Sequence, residues 1–267
     1  MIPVCATCGA VFPEDDTAPP SCPICEDERQ WVPETGQRWT SLATLMGDHR
    51  NEVREEEPGL VGVGIEPEFA IGQRALLVET SVGNVLWDMV PLCTDDAVGE
   101  IVRRGGAAAI AISHPHYYSG MLEWSRALGG IPILLHAADR EWVLRPDPLV
   151  EYWDGEAYEL PGGLTLVRLG GHFAGGTVLH WPAGAAGRGA LLSGDIVQVL
   201  GHGRSVTFMW SYPNMLPLAA CEVERIVAAL EPWEFDRIWG AWWDRVISAN
   251  AKAVIRESAA RYVRALG

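Results

Sequence analysis

The feature that most constrains this chain is the segment Ser113–Gly120, which contains His114 and His116 and directly follows an apolar run. That run, residues 107–112, is typical of a buried strand, and the residues from Met121 onward are typical of a helix. Two histidines one residue apart at a strand end can direct both imidazoles at one point when the loop curls. Imidazole is a ligand of zinc, iron and other borderline metals, so this loop predicts a metal site.

Size and charge set broad limits on function. The chain has 267 residues, of which 48% are hydrophobic, which is enough for one large domain with a sizeable core and a small appendage. The formal net charge of −15 is opposite to the basic footprint of nucleic-acid-binding proteins. No apolar run approaches the roughly 20 residues of a membrane helix, and no secretion signal is recognisable. We therefore expect a cytoplasmic protein that binds neither nucleic acid nor membrane.

Four of the six cysteines form two Cys-x-x-Cys pairs, Cys5 with Cys8 and Cys22 with Cys25. Without an export signal, such pairs indicate metal ligation rather than disulfides. Each pair can direct two thiolates at one ion, and two pairs complete a tetrahedron. The loop between them is rich in Pro, Asp and Glu, so a bound ion would supply most of the folding energy of this unit, residues 1–38.

The pattern Cys-x-x-Cys-Gly followed by Cys-Pro-x-Cys resembles a zinc ribbon, and it also resembles the iron-binding knuckles of rubredoxins and rubrerythrins. Zinc is the expected structural ion, whereas iron would imply electron transfer. The sequence leaves three roles open for this four-cysteine unit: packing against its own domain, covering the active site, or mediating a homodimer.

Beyond this unit, residues 39–58 are predicted to be a linker with a short helix around Thr40–Met46 and a solvated charge run at 54–57. Residues 59–267 alternate between strand and helix patterns. Strands are predicted at 60–65, 75–80, 84–88, 107–112, 131–135, 164–169, 178–181 and 190–195. Helices are predicted at 95–104, from 121 onward, at 217–230 and at 249–266, with Thr94 as an N-cap of the first.

Three motifs follow predicted strands in a specific order: His114-x-His116, then Gly-Gly-His172 with a glycine-rich turn, then Ser-Gly-Asp195. In this order they resemble the metallo-β-lactamase-fold superfamily over residues 59–267. The resemblance implies an α/β fold, a four-layer αββα sandwich, here preceded by a small N-terminal four-cysteine metal-binding domain. It also implies that the three histidines form a first metal site at one edge of the sandwich, with Asp195 as the carboxylate between two sites.

The chain departs from the superfamily at the second metal site. The usual first motif is His-x-His-x-Asp-His, and its last two positions are here Tyr118 and Ser119; the usual final histidine aligns with Ala241. Three imidazoles and one carboxylate suit one metal rather than two, so we expect a mononuclear centre. Zinc is favoured, with iron as the alternative, because persulfide dioxygenases of the same superfamily use a mononuclear iron.

A divalent ion with three imidazoles and an open position lowers the pKa of bound water to about 7. We hypothesise that Asp195 binds the metal or accepts a proton, and that Tyr118 stabilises an oxyanion or acts as a general acid. An aromatic group of residues is predicted either to line a substrate pocket or to pack in the core: Trp210, Tyr212, Trp239, Trp242 and Trp243.

The leading hypothesis is a metal-dependent hydrolase that uses a metal-bound water on a small ester, lactone, thioester or amide. The first alternative is a mononuclear non-haem iron redox enzyme similar to persulfide dioxygenases. The second is a non-catalytic binding protein with a degenerate site. Metal analysis distinguishes them, because iron with a visible absorbance favours the redox enzyme and an inability to bind zinc favours the non-catalytic protein.

Overall fold

The N-terminal segment folds around its four cysteines, in a computed structural model that describes residues 1–267. Strand β1 (Pro3–Cys5) pairs antiparallel with β2 (Trp39–Ser41), and the helical turn α1 (Pro23–Glu26) carries part of the second cysteine pair. The cysteines are buried together with Phe12 and Ile24 in a small core of their own. Helix α2 (Leu42–Asp48) then leads into the main body.

The first large sheet has seven strands, and their order in space is their order along the chain. They are β3 (Arg50–Glu57), β4 (Leu60–Glu66), β5 (Ala75–Val78), β6 (Val85–Trp87), β7 (Ala109–Ala111), β8 (Ile133–His136) and β9 (Val150–Trp153). Pairing is antiparallel from β3 to β6 and parallel from β6 to β9. Helices α3 (Asp95–Arg103) and α4 (Met121–Ala127) connect the parallel strands, and Thr94 caps α3 by accepting a hydrogen bond from the Ala97 amide.

The second large sheet has six strands. It begins with β10 (Ala157–Glu159), β11 (Thr165–Arg168), β12 (Thr177–Trp181) and β13 (Ala190–Gly194), with the short helical segment α5 (Gly184–Gly187) after β12. Two hairpins then leave the sheet: β14 (Gln198–Val199) with β15 (Val206–Thr207), and β16 (Met209–Ser211) with β17 (Leu216–Pro217). After helix α6 (Ala220–Leu230), strands β18 (Arg237–Gly240) and β19 (Val246–Ile247) complete the sheet, and helix α7 (Ala251–Leu266) ends the fold.

Three apolar layers hold these elements together, and they define the predicted four-layer αββα sandwich. The middle layer lies between the sheets and includes Leu76 and Val78 of β5. Their neighbours Ala75 and Leu77 point to the other face, where α3 and α4 pack, because successive side chains of a strand alternate between faces. The third layer packs α6 and α7 onto the second sheet. No helix combines the length and apolar character needed to cross a membrane.

Strand β3 occupies residues 50–57, where the sequence predicts linker. Its charged residues hide the usual alternation of a strand, because two of them turn inward and form ion pairs. Glu56 Oε1 lies 2.5 Å from Nη1 of the fully buried Arg74, and Glu57 Oε2 lies 2.5 Å from Nη1 of Arg237. Two of the charged residues at 54–57 therefore stabilise the edge of the sheet through ion pairs instead of facing solvent.

Candidate metal centres

The first candidate centre lies on loops that follow the ends of β7, β11 and β13. The amide of Ser113 donates to Asp88 Oδ1 at 2.8 Å, which fixes the start of the histidine loop against the end of β6. Gly194 ends β13 with φ of +51°, and a Cβ there would lie 2.6 Å from Ser113 Oγ. Glycine at this position therefore lets Asp195 approach the loop that carries His114.

Four side chains predicted from separate motifs meet at one point: His114, His116, His172 and Asp195. One ligand atom from each lies within 4.8 Å of every other. His172 Nε2 is 3.3 Å from His116 Nδ1, and His114 Nε2 is 3.7 Å from Asp195 Oδ2. All four residues are at most 5% exposed, so the cluster is almost completely enclosed.

Hydrogen bonds outside the cluster orient two of the three imidazoles, those of His172 and His114. His172 Nδ1 donates to the Trp210 carbonyl at 2.7 Å, which leaves Nε2 as the unprotonated nitrogen. His114 Nδ1 bonds to Ser113 Oγ at 2.8 Å, while its buried Nε2 has no hydrogen-bond partner. Buried polar atoms are normally paired. An ion ligated by these nitrogens would satisfy them, so the donor set fits one divalent metal.

Burial also keeps the histidines neutral, as metal ligands must be. It lowers the pKa of His114 and His116 well below the usual range and that of His172 to about 4. The same burial raises the pKa of the Asp195 carboxyl to about 7, against the opposing effect of hydrogen bonds. Gln198 Nε2 donates to Asp195 Oδ1 at 3.3 Å and leaves Oδ2 facing His114.

The tyrosine beside this cluster is Tyr117, whereas the sequence predicts Tyr118 in this role. The Tyr117 ring lies 4.3 Å from that of His114, and its buried hydroxyl lies near the Asp195 carboxylate without reaching hydrogen-bond geometry. Burial raises the pKa of Tyr117 well above its usual range, and the nearby Asp195 adds to this effect. Tyr118 instead lines a cavity with Ala10 and Trp142. The short 3₁₀ helix Pro115–Tyr117 produces this difference, because it turns the two neighbouring side chains in different directions.

No donors gather for a second ion beside the cluster. Ser119 donates its hydroxyl to the Met89 carbonyl at 3.4 Å, and Ala241 lies in the core under α3 and α4. The structure has two groups of three or more potential ligands, this one and the cysteines. The number of ions held by this centre stays a prediction from the sequence.

Of the five aromatic residues predicted either to line a pocket or to pack in the core, some lie near the candidate centre and others lie in the core. Tyr212 packs against His172 with ring centroids 5.5 Å apart, and the Trp210 carbonyl holds the same histidine. Trp242 lines a cleft of about 360 Å³ together with Gln198 and Arg245. Trp239 lies in the core between the sheets, and the ring of Trp243 lies between the guanidinium groups of Arg54 and Arg74.

The second candidate centre is formed by Cys5, Cys8, Cys22 and Cys25, which are brought together as predicted. The Sγ atoms of Cys5 and Cys25 are 3.6 Å apart, and those of Cys8 and Cys22 are 3.7 Å apart. A tetrahedron with Zn–S bonds of about 2.3 Å has edges of about 3.8 Å, so the spacing fits one ion. Gln37 Nε2 donates to Cys5 Sγ at 2.9 Å, a contact of the kind that tunes metal ligands.

Sequence reasoning missed several residues around the centres. Asp88, Gln198 and Phe173 are separate from the predicted ligands, and Phe173 contacts all three histidine rings at centroid distances of 4.9 to 5.6 Å. The one available signal was position, since Phe173 follows His172 directly and Asp88 ends a predicted strand. Arg29 of the four-cysteine unit also reaches this region, and nothing in its local sequence indicates that.

Comparison with known proteins identifies relatives at two levels. No protein-family model matches the chain. The chain is 44% identical over 265 residues to the uncharacterized protein YmaE of Bacillus subtilis (strain 168), covering 98% of this chain and 96% of the relative. The chain belongs to the YmaE family. The match includes the four-cysteine unit as well as the sandwich, since so little of either chain lies outside it.

Solved structures share the sandwich at much lower identity. VMB-1 aligns with a TM-score of 0.62 at 14% identity, covering 82% of this chain and 99% of that one. The metallo-β-lactamase DIM-1 aligns at 0.60 with 11% identity, covering 82% and 98%. The mono-zinc form of the metallo-β-lactamase FIM-1 from Pseudomonas aeruginosa aligns at 0.59 with 15% identity, covering 81% and 96%. This YmaE-family chain therefore has the metallo-β-lactamase fold, and identities this low establish the fold alone.

Proposed function

We propose that this protein is a hydrolase that depends on a single metal ion held by His114, His116, His172 and Asp195. The convergence of these four buried side chains, with one ligand atom of each within 4.8 Å of every other, is the observation that carries the proposal. The imidazole-rich donor set favours zinc. When bound, such an ion acts as a Lewis acid and lowers the pKa of a coordinated water to about 7.

The surrounding residues would perform the remaining steps. Asp195 would complete the ligand set and accept a proton from the coordinated water, because its carboxylate lies inside the donor cluster with Oδ2 3.7 Å from His114 Nε2. Tyr117 would take the role predicted for Tyr118, since its ring packs on that of His114 and its buried hydroxyl, near Asp195, would donate to a developing oxyanion. Phe173, which contacts all three histidine rings, would shield one side of the cluster from bulk solvent.

The substrate is proposed to be a small ester, lactone, thioester or amide. The side chains of the candidate metal ligands are almost fully buried, which favours a small substrate. The cleft of about 360 Å³ next to Gln198, which bonds to Asp195, is large enough for a small molecule. The net charge of −15 argues against a nucleic acid substrate.

The test combines metal analysis with hydrolysis of four chromogenic probes: an ester, a lactone, a thioester and an amide. We expect about one ion per His/Asp centre and turnover of at least one probe. His114→Ala and His172→Ala should abolish both. His202→Ala is the matched control, because His202 is exposed and lies outside the cluster, and it should retain both. Full turnover by both cluster variants would refute the proposal.

A redox enzyme remains the second candidate because the four-cysteine unit packs directly on the His/Asp centre. Arg29 Nη1 lies 3.5 Å from the carbonyl oxygen of His172, so the unit that would carry a cysteine-bound iron contacts the loop of a candidate ligand. Purification with iron in either centre and a visible absorbance, together with oxygen consumption in the presence of a persulfide, would favour this candidate. Zinc in both centres would exclude it.

A further inference from the structure

We propose that Arg29 is a positioning residue for the metal ligand His172, and that through Arg29 the cysteine centre stabilises the His/Asp centre. This inference rests on the proposed function only in requiring an ion at the His/Asp centre; it requires no particular substrate. The contacts that carry it join residues 27–30 of the four-cysteine unit to the loops around His172.

The Arg29 guanidinium is inserted among the aromatic residues that surround the histidines. Its Cζ atom lies 4.0 Å from the ring centroid of Phe173, 4.7 Å from that of Trp210 and 4.9 Å from that of Trp142. Phe173 in turn contacts all three histidine rings. Arg29 therefore contacts the three histidines through one intervening ring, that of Phe173. Arg29 itself is buried, with 8% of its surface exposed.

Asp27 holds this guanidinium in place. Its Oδ1 accepts from Arg29 Nε at 2.5 Å and its Oδ2 accepts from Nη2 at 2.8 Å, so the pair is bidentate. The remaining nitrogen, Nη1, points to the His172 carbonyl oxygen at 3.5 Å. Arg29 therefore approaches His172 in two ways. It reaches the imidazole ring through Phe173, and its Nη1 lies near the main-chain carbonyl oxygen.

Two further contacts tie the same segment to the loop that orients His172. Trp210 Nε1 donates to Glu28 Oε1 at 2.8 Å, and the carbonyl of that tryptophan accepts the His172 Nδ1 hydrogen bond. Asn214 Nδ2 donates to the carbonyl oxygens of Glu28 and Gln30 at 2.8 and 2.7 Å. The position of residues 27–30 therefore affects the hydrogen bond that fixes the tautomer of the ligand.

The segment that makes these contacts begins two residues after Cys25. Four of the seven buried apolar residues in the core of the unit are the cysteines themselves, so its fold depends on the ion that they hold. Loss of that ion would release residues 27–30 from their position on the sandwich. A mere anchoring role for Arg29 would change overall stability, whereas a positioning role also changes the metal affinity and spectrum of the other centre.

The experiment uses the full chain loaded with cobalt(II) at both centres. Thiolate-bound cobalt has an intense near-ultraviolet charge-transfer absorption that cobalt on histidine and carboxylate lacks, so the two centres can be followed separately during competition with a chelator. In the double variant Asp27→Asn/Arg29→Met, which removes both charges of the pair, we expect cobalt affinity at the His/Asp centre to fall ten- to a hundredfold. The visible bands of that centre should shift, while the thiolate band stays unchanged.

Arg140→Met is the matched control, because Arg140 also stacks on an aromatic ring, that of Tyr152 at 3.7 Å, but it contacts neither centre. It should leave both affinities unchanged. Arg29→Lys keeps the charge and loses the planar fork, so it provides a second test should the double variant not fold, with an expected loss of threefold or more. Cys22→Ser tests the link itself, and it should weaken cobalt binding at the His/Asp centre as well as at its own.

The proposal is overturned if the Arg29 variants bind cobalt at the His/Asp centre as tightly as the parent, or if Cys22→Ser leaves that affinity unchanged. These outcomes are separable from failure of the proposed function. A protein that hydrolyses none of the probes but loses cobalt affinity on substitution of Arg29 would support the inference alone. Hydrolysis without any effect of Arg29 on cobalt affinity would support the proposed function alone.

Discussion

The phenolic hydroxyl of Tyr212 donates a hydrogen bond to the main-chain carbonyl oxygen of Asp195 at 2.6 Å. The same ring packs against His172, so one side chain spans two of the four candidate ligands. Asp195 lies in the loop between β13 and β14, and Tyr212 lies in the turn between β16 and β17. The contact therefore fixes the carboxylate relative to a ligand from a different motif.

Replacing Tyr212 by Phe removes this hydrogen bond and retains the ring. We expect the free energy of unfolding to fall by about 1–2 kcal/mol, because the enclosed carbonyl loses its donor. Urea denaturation of the metal-loaded protein measures the change. Tyr158→Phe is the control, since Tyr158 is 39% exposed and should change stability little. An equal effect of both substitutions would contradict a specific role for the Tyr212 hydroxyl.

The hydrogen bond from Gln37 to Cys5 provides a second prediction. Its donation at 2.9 Å stabilises a thiolate, and Gln37→Leu should weaken metal binding at the cysteine centre about tenfold. Competition with a chelator, followed by the thiolate charge-transfer absorption of cobalt, measures this affinity. Asp16→Ala in the same unit changes an exposed side chain and should have no effect. Unchanged affinity in Gln37→Leu would show that the contact does not tune the centre.

Much of the sandwich could be predicted because its strands follow simple hydrophobic patterns. Residues 75–78 and 190–194 are apolar runs that end at turn or ligand residues, and both are strands. The four candidate ligands could also be predicted, since each follows a strand in the order expected from the resemblance. Strand β3 could not be predicted, because its inward Glu56 is stabilised by Arg74, a partner 18 residues away.

The surroundings of the ligands depend on distant parts of the chain and carry no local signal. Arg29 approaches His172 across a sequence separation of 143 residues. The choice between Tyr117 and Tyr118 depends on a single 3₁₀ turn, and one residue of register decides which ring reaches the cluster. Spacing alone identifies donors to a metal but not the side chains that orient them.

The ion pair between Glu56 and Arg74 provides a third prediction. The Arg74 side chain is fully buried, and Glu56 is 13% exposed. Glu56→Ala should lower the free energy of unfolding by about 3–5 kcal/mol, because it leaves a buried guanidinium without its partner. Glu55→Ala is the adjacent control, since Glu55 is 61% exposed and should cost at most about 1 kcal/mol. A loss in Glu56→Ala no greater than that of the control would contradict the structural role of the pair.

The carboxyl of Asp139 provides a pH-dependent prediction. Its Oδ1 accepts a hydrogen bond from the Gly175 amide at 2.7 Å, its buried Oδ2 has no partner, and burial raises its pKa from 3.8 to about 6. Folding therefore favours the protonated acid, so its stabilising contribution is complete below pH 3.8 and is lost as the pH rises through about 6.

Asp139→Asn cannot ionise, and its free energy of unfolding relative to the parent should increase by about 2–3 kcal/mol between pH 4 and 7. Denaturant unfolding of both proteins at each pH measures this difference, with the exposed Asp154→Asn as the control for loss of a charge. A difference that stays constant, or that decreases with pH, would show that Asp139 is not held as the neutral acid by the fold.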